Sequence, residues 1–435
     1  MERKETAYLK KWKASPSRKP LIIRGARQVG KTWLIKNFGR NEYNKTAYIN
    51  FEGNAVFKSL FRDDFDIKRI ISAIQIETGI TIVPDETLII FDEIQEAPGA
   101  LTSLKYFEEN APEYHIISAG SQLGIGLSNT SSFPVGKVDF LHLHPFDFTE
   151  FLEAVNERSL IDLFQKKDWN LMTNFKSRYI DLLKQYYLVG GMPEAVLAFS
   201  KRKDFKEVRE IQKGILTAYD QDFAKHAPNA IVPRIRMLWN SIPAQLSKEN
   251  RKFIYGIIKQ GARAKDYEIS MSWLIDCGLI HKVHNVSKPA IPLKAYEDYS
   301  AFKLYLVDIG LLAAMTDLDV KTILDGNAVF QEFRGALAEQ YVLQQLMAQN
   351  ETVYYWSQDN SRSEIDFLLQ ISGQIIPIEV KAQENLKAKS LKFFHEKFKS
   401  KIAIRTSMSD FRKEDWMINI PLYSFGNMIQ DFLKL

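Results

Sequence analysis

Gly25-Ala26-Arg27-Gln28-Val29-Gly30-Lys31-Thr32 has the residue types and the spacing to hold a phosphate chain. Glycines at 25 and 30 let the backbone turn tightly and aim its N–H groups inward. Phosphate oxygens then sit on those amides at the positive end of the helix that follows. In such a loop Lys31 reaches the β- and γ-phosphates, and the Thr32 hydroxyl holds Mg²⁺. The pattern requires a strand before it and a helix after it. Leu21-Ile22-Ile23 supplies the apolar strand, and the chain from about Trp33 to Phe38 reads as the helix.

A second set of groups completes this chemistry. Thr87-Leu88-Ile89-Ile90-Phe91-Asp92-Glu93 places two carboxylates at the end of an apolar run, about sixty positions after the loop. Four consecutive apolar residues fit a strand buried on both faces of a parallel sheet. An open α/β sheet binds its ligand at the C-terminal ends of such strands. Asp92 is therefore the expected partner of the Mg²⁺ held by Thr32, and Glu93 the expected base that orients an attacking water. A further strand, His115–Ala119, runs into Gly120-Ser121-Gln122. There Ser121 and Gln122 either sense the γ-phosphate or, for Ser121, cap a helix. In the last expected strand of this sheet, Val138–Pro145, His142 and His144 share a face. No third metal ligand is apparent near them, and they read as structural.

A third constellation lies near the C-terminus. Phe333–Leu343 reads as a helix carrying Glu339 on an apolar face, where a carboxylate needs a partner. Glu364–Ile371 and Gln374–Lys381 alternate as strands joined by Ser372-Gly373, a two-residue hairpin turn. That turn sets Asp366 directly opposite Glu379, with Lys381 on the same face as Glu379. Asp366, Glu379 and Glu339 with Lys381 can hold a divalent cation and polarise a water. The same four groups can equally form an internal salt-bridge cluster. Lys387, Lys389, Lys392, Lys397, Lys399, Lys401 and Arg405 then interleave with Phe393, Phe394 and Phe398. This run suits a phosphate backbone, and it suits a plain amphipathic helix with a solvated lysine face.

The elements that position these groups span 435 residues, enough for several domains. A hydrophobic content of 46% with 26% charged residues is that of an ordinary soluble globular chain. The net charge of +5 neither demands nor excludes nucleic acid. A single cysteine, Cys277, leaves no intrachain disulfide and suits a reducing compartment. The first residues are charged and read as a basic amphipathic helix over 1–17, not as a signal peptide. No apolar run approaches the roughly 20 residues of a membrane span, so a cytoplasmic protein with no membrane partner is expected. The middle of the chain reads as helical from Phe146 to about Phe223. Helices Arg234–Leu246, Lys248–Lys259 and Ala264–Cys277 with a following strand pair resemble a winged helix-turn-helix. Lys265, Asp266, Glu268 and Asp276 give its third helix no basic face.

Taken together, several motifs resemble one family. These are the phosphate loop, Phe91-Asp92-Glu93-Ile94-Gln95-Glu96-Ala97-Pro98, Ala119-Gly120-Ser121, Leu143-His144-Pro145-Phe146-Asp147-Phe148-Thr149-Glu150-Phe151 and Gly190-Gly191-Met192-Pro193-Glu194. They resemble the bacterial and archaeal AAA-type ATPases that carry a C-terminal domain of unknown function. The resemblance implies an α/β fold in four parts. Residues 1–150 form a P-loop AAA-type parallel sheet and 151–224 a helical lid near the nucleotide. Residues 225–300 form the winged-helix-like middle, and 301–435 an α/β restriction-endonuclease-like domain. It also implies ATP with Mg²⁺ as cofactors, bound by Gly25, Ala26, Arg27, Gln28, Val29, Gly30, Lys31, Thr32, Asp92 and Ser121. Glu339, Asp366, Glu379 and Lys381 resemble the PD-(D/E)xK nuclease core, which implies Mg²⁺ on the acidic groups and charge stabilisation by Lys381. The family usually has Gly-Arg before its last strand, where this chain has Gly136-Lys137. Lysine keeps the charge but loses the planar fork, so slow hydrolysis is expected. Arg24, Arg27 and Arg158 are candidates by type for a catalytic arginine. Candidate partners are DNA or RNA at the C-terminal domain, a protein partner, and a second copy of the chain in a homo-oligomer. The expected function is an ATPase whose nucleotide state controls the C-terminal module. The alternatives are an ATP-gated metal-dependent nuclease, or a non-enzymatic nucleotide-switched scaffold or DNA-binding regulator.

Overall fold

Thr87–Asp92 forms a strand that is buried along its whole length, as an apolar run between two sheet neighbours must be. It is β3 of a five-stranded sheet in a computed structural model that describes residues 3–120, 133–248, 251–325, 331–358, 363–384 and 388–433. Its companions are β1 (Leu21–Arg24), β2 (Lys45–Asn50), β4 (His115–Ala119) and β5 (Asp139–His142). The order is β2-β3-β4-β1-β5, and every pair is parallel. Parallel strands need crossovers. These are α2 (Lys31–Glu42), α3 (Ala55–Asp63), α4 (Ile67–Thr78) and α5 (Pro98–Asn110), while α1 (Glu5–Ala14) precedes β1. Helix α3 was not foreseen from the sequence. It starts on Asn54, whose side chain accepts from the Phe57 N–H. Phe51, Phe57, Phe61 and Phe91 meet edge-to-face in the core on one side of the sheet.

The chain divides into two units: Met1–His144 with Asp276–Gly278, and Pro145–Ile275 with Leu279–Leu435. The second unit begins with helices α6 (Phe148–Ala154), α7 (Arg158–Lys166), α8 (Trp169–Asn174), α9 (Lys176–Val189), α10 (Pro193–Arg202), α11 (Phe205–His226) and α12 (Val232–Leu246). Then come α13 (Tyr255–Ile258) and α14 (Ala264–Asp276), whose last residue groups with the first unit. Eight strands follow: β6 (Ile280–Val286), β7 (Glu297–Leu306), β8 (Val353–Ser357), β9 (Glu364–Ile371), β10 (Gln374–Val380), β11 (Ala403–Ser407), β12 (Arg412–Lys413) and β13 (Met417–Pro421). They form one mixed sheet in the order β12-β13-β11-β10-β9-β8-β6-β7. Helices α15 (Ile309–Met315), α16 (Val320–Asp325), α17 (Gln331–Met347), α18 (Lys389–Phe398) and α19 (Phe425–Leu433) complete the unit.

Two expectations are corrected here, the wing and the helix after Lys248. The strand pair expected as a wing is β6 and β7, and β6 pairs in parallel with β8, so it belongs to the large C-terminal sheet. A boundary at residue 300 would therefore cut through β7. The helix expected over Lys248–Lys259 is confined to Tyr255–Ile258. Just before it the Phe253 N–H donates to the Phe302 carbonyl at 2.8 Å, and the Gln245 carboxamide both donates to and accepts from Ile254. These bonds hold the backbone extended, where a helix would have turned it inward. Residues 151–224, expected as a helical lid, group with the second unit.

Gly190-Gly191 shows why. Among the described residues its turn is locked by Asp308, whose carboxylate accepts from the Gly191 N–H at 2.6 Å, the Leu311 N–H at 2.9 Å and the Gln344 amide at 3.2 Å. A Cβ at Gly190 would lie 2.2 Å from Asp308 Oδ1, and one at Gly191 2.1 Å from the Phe146 carbonyl. Asp308 is completely buried, and burial pushes its carboxyl above the ordinary range. Removing it strands buried donors. Asp308→Ala should lower unfolding free energy by about 2–4 kcal/mol in urea titrations. A loss below about 1 kcal/mol would mean that this carboxylate does not hold the turn.

Candidate functional site

The phosphate loop leaves β1 at Arg24 and enters α2 at Lys31. Gly25 is required by close approach, since a Cβ there would meet the Leu143 carbonyl oxygen at 2.2 Å. Gly30 opens α2 with φ +93°, a left-handed conformation that a side chain disfavours. Gln28 is also left-handed, at φ +68°. Ala26 and Val29 are buried and pin the loop, while Arg27 is half-buried and Gln28 exposed. Lys31 is buried, and its ammonium donates to the carbonyls of Gly25 at 2.9 Å and Ala26 at 2.8 Å. Burial pulls Lys31 down to about 8, against the opposing pull of Glu93 and Asp92.

The fold brings Thr32 and Asp92 together. The Thr32 hydroxyl donates to Asp92 Oδ2 at 2.8 Å, and the Tyr48 hydroxyl donates to the same oxygen at 2.8 Å. The Glu93 N–H donates to Asp92 Oδ1 at 3.1 Å. Tyr48 was missed in the sequence. Its signal was the alternation of β2, whose Asn50 stands beside Asp92. Burial and the bond to Asp92 push the Tyr48 phenol up. Glu93 is half-buried at φ +51°, with one carboxylate oxygen accepting from Gln95. Ser121 and Gln122 lie outside the described residues. Lys137 is ion-paired to Glu108 at 2.9 Å and Glu109 at 3.2 Å on α5. Arg24 stacks over Phe140 at 3.8 Å, and Arg158 pairs with Glu153 at 2.9 Å. His142 and His144 stack 6.3 Å apart. Among the described residues no three His, Cys, Asp or Glu side chains are placed to hold a metal ion.

In the second unit the hairpin has the expected register. Gln374 pairs with Ile371 and Ile378 with Phe367 across a turn in which Ser372 and Gly373 both have positive φ. The groups around it form a buried ion network rather than an open acidic cleft. Glu339 is paired with Arg251 and lies 3.7 Å from the Lys303 ammonium, and it accepts from the Tyr305 hydroxyl at 3.1 Å. Lys303, fully buried, also pairs with Glu364. Burial alone would raise Glu339, but Arg251 and Lys303 outweigh it and hold this carboxyl low. Asp366 goes the other way: burial, then the Glu339 charge, raises it well above the ordinary range. Asp366 hydrogen-bonds Glu339 and accepts from the Val380 N–H at 2.7 Å. Glu379 pairs with Lys381 at 2.9 Å, while its Oε2 is buried without a partner among the described residues. Glu339, expected as a cation ligand, is thus already neutralised by two basic side chains that the sequence reading missed. Lys303 was visible only as a lone charge in an apolar strand. On α18, Leu391 and Phe394 are buried and Lys389, Lys392 and Lys397 exposed. Arg405 is not part of that lysine face; it is buried on β11 and donates to Asn419 at 2.8 Å. Lys387 lies outside the described residues.

A five-stranded parallel sheet with a glycine-rich loop closing on a strand-end aspartate defines a P-loop nucleotide-binding unit. Residues 17–152 match a family model described as an AAA domain. Residues 180–322 and 334–425 match two further models, each described as a domain of unknown function (DUF8612 and DUF4143). The chain therefore carries an N-terminal AAA domain followed by two domains of unknown function. No curated protein matches it. Among solved structures it is similar to the Walker-type ATPase PABY2304 of Pyrococcus abyssi, with 15% identity, a TM-score of 0.43, and coverage of 72% of this chain and 95% of that one. The Aeropyrum pernix ORC1 protein in complex with DNA matches at 12% identity and a TM-score of 0.31, over 73% of this chain and 93% of that one. Drosophila ORC bound to DNA matches at 15% identity and a TM-score of 0.28, over 74% and 94%. Among the described residues no helix is long and apolar enough to cross a membrane.

Two outcomes follow from these charges. Phosphate placed against Lys31 favours its ammonium and raises it again, so nucleotide binding takes up a proton near pH 8. Affinity should be flat below that pH and fall above it by up to about tenfold per unit. Calorimetry at about pH 8.5 in buffers of different ionisation enthalpy should show this uptake. Equal heats in all buffers would contradict it. In the second unit, Glu339→Gln leaves Arg251 and Lys303 without their shared counter-charge and should cost about 3–5 kcal/mol. Asp366→Asn can still donate to Glu339 and accept from Val380, and should cost no more than about 1 kcal/mol in the same urea titrations. The reverse order would contradict the network.

Proposed function

We propose that this chain is a Mg²⁺-dependent ATPase whose nucleotide state controls its second unit. The observation that carries this reading is the Thr32 hydroxyl on Asp92 at 2.8 Å, directly beyond the glycine-rich loop. A hydroxyl beside a carboxylate is a pair of hard oxygen donors, suited to Mg²⁺. When bound with ATP, that ion offsets charge on the β- and γ-phosphates. The N–H groups from Gly25 to Gly30 orient the phosphates, and Lys31 binds their outer oxygens. Glu93, one residue past the strand end, orients the attacking water and accepts its proton. Lys137 is engaged by Glu108 and Glu109, which favours slow turnover. An arginine acting on the γ-phosphate is worth about 10³–10⁵ in rate.

In the same reading the second unit binds a partner and does not cut one. The neutralisation of Glu339 by Arg251 and Lys303 favours this over metal-dependent nuclease chemistry at Glu339, Asp366, Glu379 and Lys381. The exposed lysines of α18 suit an anionic partner. Control by nucleotide is supported by Asp276–Gly278, which groups with the first unit. A Cβ at Gly278 would lie 3.3 Å from the Ala26 nitrogen in the phosphate loop. Helix α14 ends at Asp276 and β6 begins at Ile280, so a loop movement at Ala26 reaches both elements through the chain.

ATP turnover with Mg²⁺ should fall at least about 100-fold in Glu93→Gln while ATP still binds. In Lys31→Ala binding should be lost as well. Turnover unchanged in both variants would defeat the ATPase reading. Purified protein with Mg²⁺ or Mn²⁺ should leave DNA and RNA intact. Cleavage that disappears in Asp366→Ala would reinstate the nuclease.

A further inference from the structure

The phosphate-binding pattern calls for Thr32 and Asp92 but not for Tyr48. Tyr48 pairs with Ile90 across the parallel β2–β3 ladder, two residues before Asp92, so its side chain leaves the sheet on the same face as that carboxylate. Its hydroxyl reaches forward to Asp92 Oδ2 at 2.8 Å, the oxygen that also accepts from Thr32. The ring is held as well. The Lys36 ammonium sits over it, 3.5 Å from the centroid. Lys36 follows Thr32 by four residues on α2, so the two share a face of that helix. Helix α2 thus grips the junction twice, through the Thr32 hydroxyl on Asp92 and the Lys36 ammonium on Tyr48, and the four side chains close a ring. Asp92 is buried, and the Glu93 N–H donates to its other oxygen at 3.1 Å. Donors on both oxygens fix the plane of the carboxylate.

We propose that Tyr48 is a positioning residue for the divalent cation: clamped by Lys36, it holds Asp92 in the orientation that presents a ready-made oxygen pair with Thr32. The inference rests on the Mg²⁺ reading of Thr32 and Asp92 above and adds the side chains that orient that pair. Oδ2 carries the Thr32 and Tyr48 hydroxyls, and a carboxylate oxygen has about two acceptor positions. Without the phenol hydroxyl, Asp92 keeps Thr32 alone on that oxygen. Its terminal torsion is intrinsically broad, so the carboxylate then has to be ordered when the cation binds. Lys36 acts one step further out, by fixing the ring that carries the hydroxyl. Groups placed behind a metal ligand in this way change metal affinity by about 10–100-fold.

Mn²⁺ binding read by electron paramagnetic resonance, with the full chain in excess over ADP, tests this without turnover. Tyr48→Phe keeps the ring under Lys36 and removes only the hydroxyl. It should weaken Mn²⁺ about tenfold, while ADP affinity in EDTA stays that of the wild type. Lys36→Met should weaken Mn²⁺ by a smaller factor, and Lys36→Arg should restore it, since either cation can sit over the ring. Asp92→Asn is the reference and should weaken Mn²⁺ at least as much as Tyr48→Phe. Unchanged Mn²⁺ affinity in Tyr48→Phe overturns the proposal, even if that variant unfolds at lower urea. ADP weakened in EDTA as much as Mn²⁺ overturns it too, because the hydroxyl would then support the loop and not the cation. Lys36→Met equal to the wild type overturns the part assigned to Lys36. If Asp92→Asn also leaves Mn²⁺ affinity unchanged, the Mg²⁺ reading of Thr32 and Asp92 has itself failed.

Discussion

Two hydroxyls, from Thr32 and Tyr48, converge on one oxygen of Asp92 at the end of a strand buried on both faces. The first unit depends on this junction. It ties the first turn of α2 to β3 and to β2, three elements that the chain reaches separately. A carboxylate with 4% exposure needs such donors to remain there. The parallel order β2-β3-β4-β1-β5 supplies the geometry, since it brings the C-terminal ends of all strands to one edge. Gly25 belongs to the same design: the Leu143 carbonyl presses on it from the end of β5 and leaves no room for a side chain.

The second unit shows the opposite solution to buried charge. Arg251, Lys303, Glu339 and Glu364 interlock, and Asp366 hydrogen-bonds Glu339, its carboxyl raised by burial and then by the Glu339 charge. Desolvation would be costly for any one of these groups alone, and pairing is what makes the cluster tolerable. The same economy holds at Asp308, where backbone and carboxamide donors converge on one carboxylate.

What the sequence revealed was local. The loop spacing, the apolar run ending in Asp92-Glu93 and the Ser372-Gly373 turn each specify structure within about ten residues, and the hairpin register followed from the turn. What it hid was distant pairing. The sequence cannot bring Arg251 or Lys303 to Glu339 without the fold, and it gave β6 no reason to join β8 rather than remain a wing. The lost helical turns after Lys248 have the same cause, since the Phe253 N–H is taken by Phe302 on β7. Lysines after residue 387 did segregate to one side of α18 as its period required, but Arg405 was drawn into the sheet by Asn419.

In the proposed reading, phosphate binding at the loop reaches Asp276–Gly278 and, through it, the elements on either side. Amide hydrogen exchange tests this directly, by comparing the chain alone, with ADP and with a non-hydrolysable ATP analogue. Slowed exchange over 25–34 with either nucleotide, together with a difference between the two over 274–282, is the expected result. Protection confined to 17–152 and identical for ADP and the analogue would contradict the account.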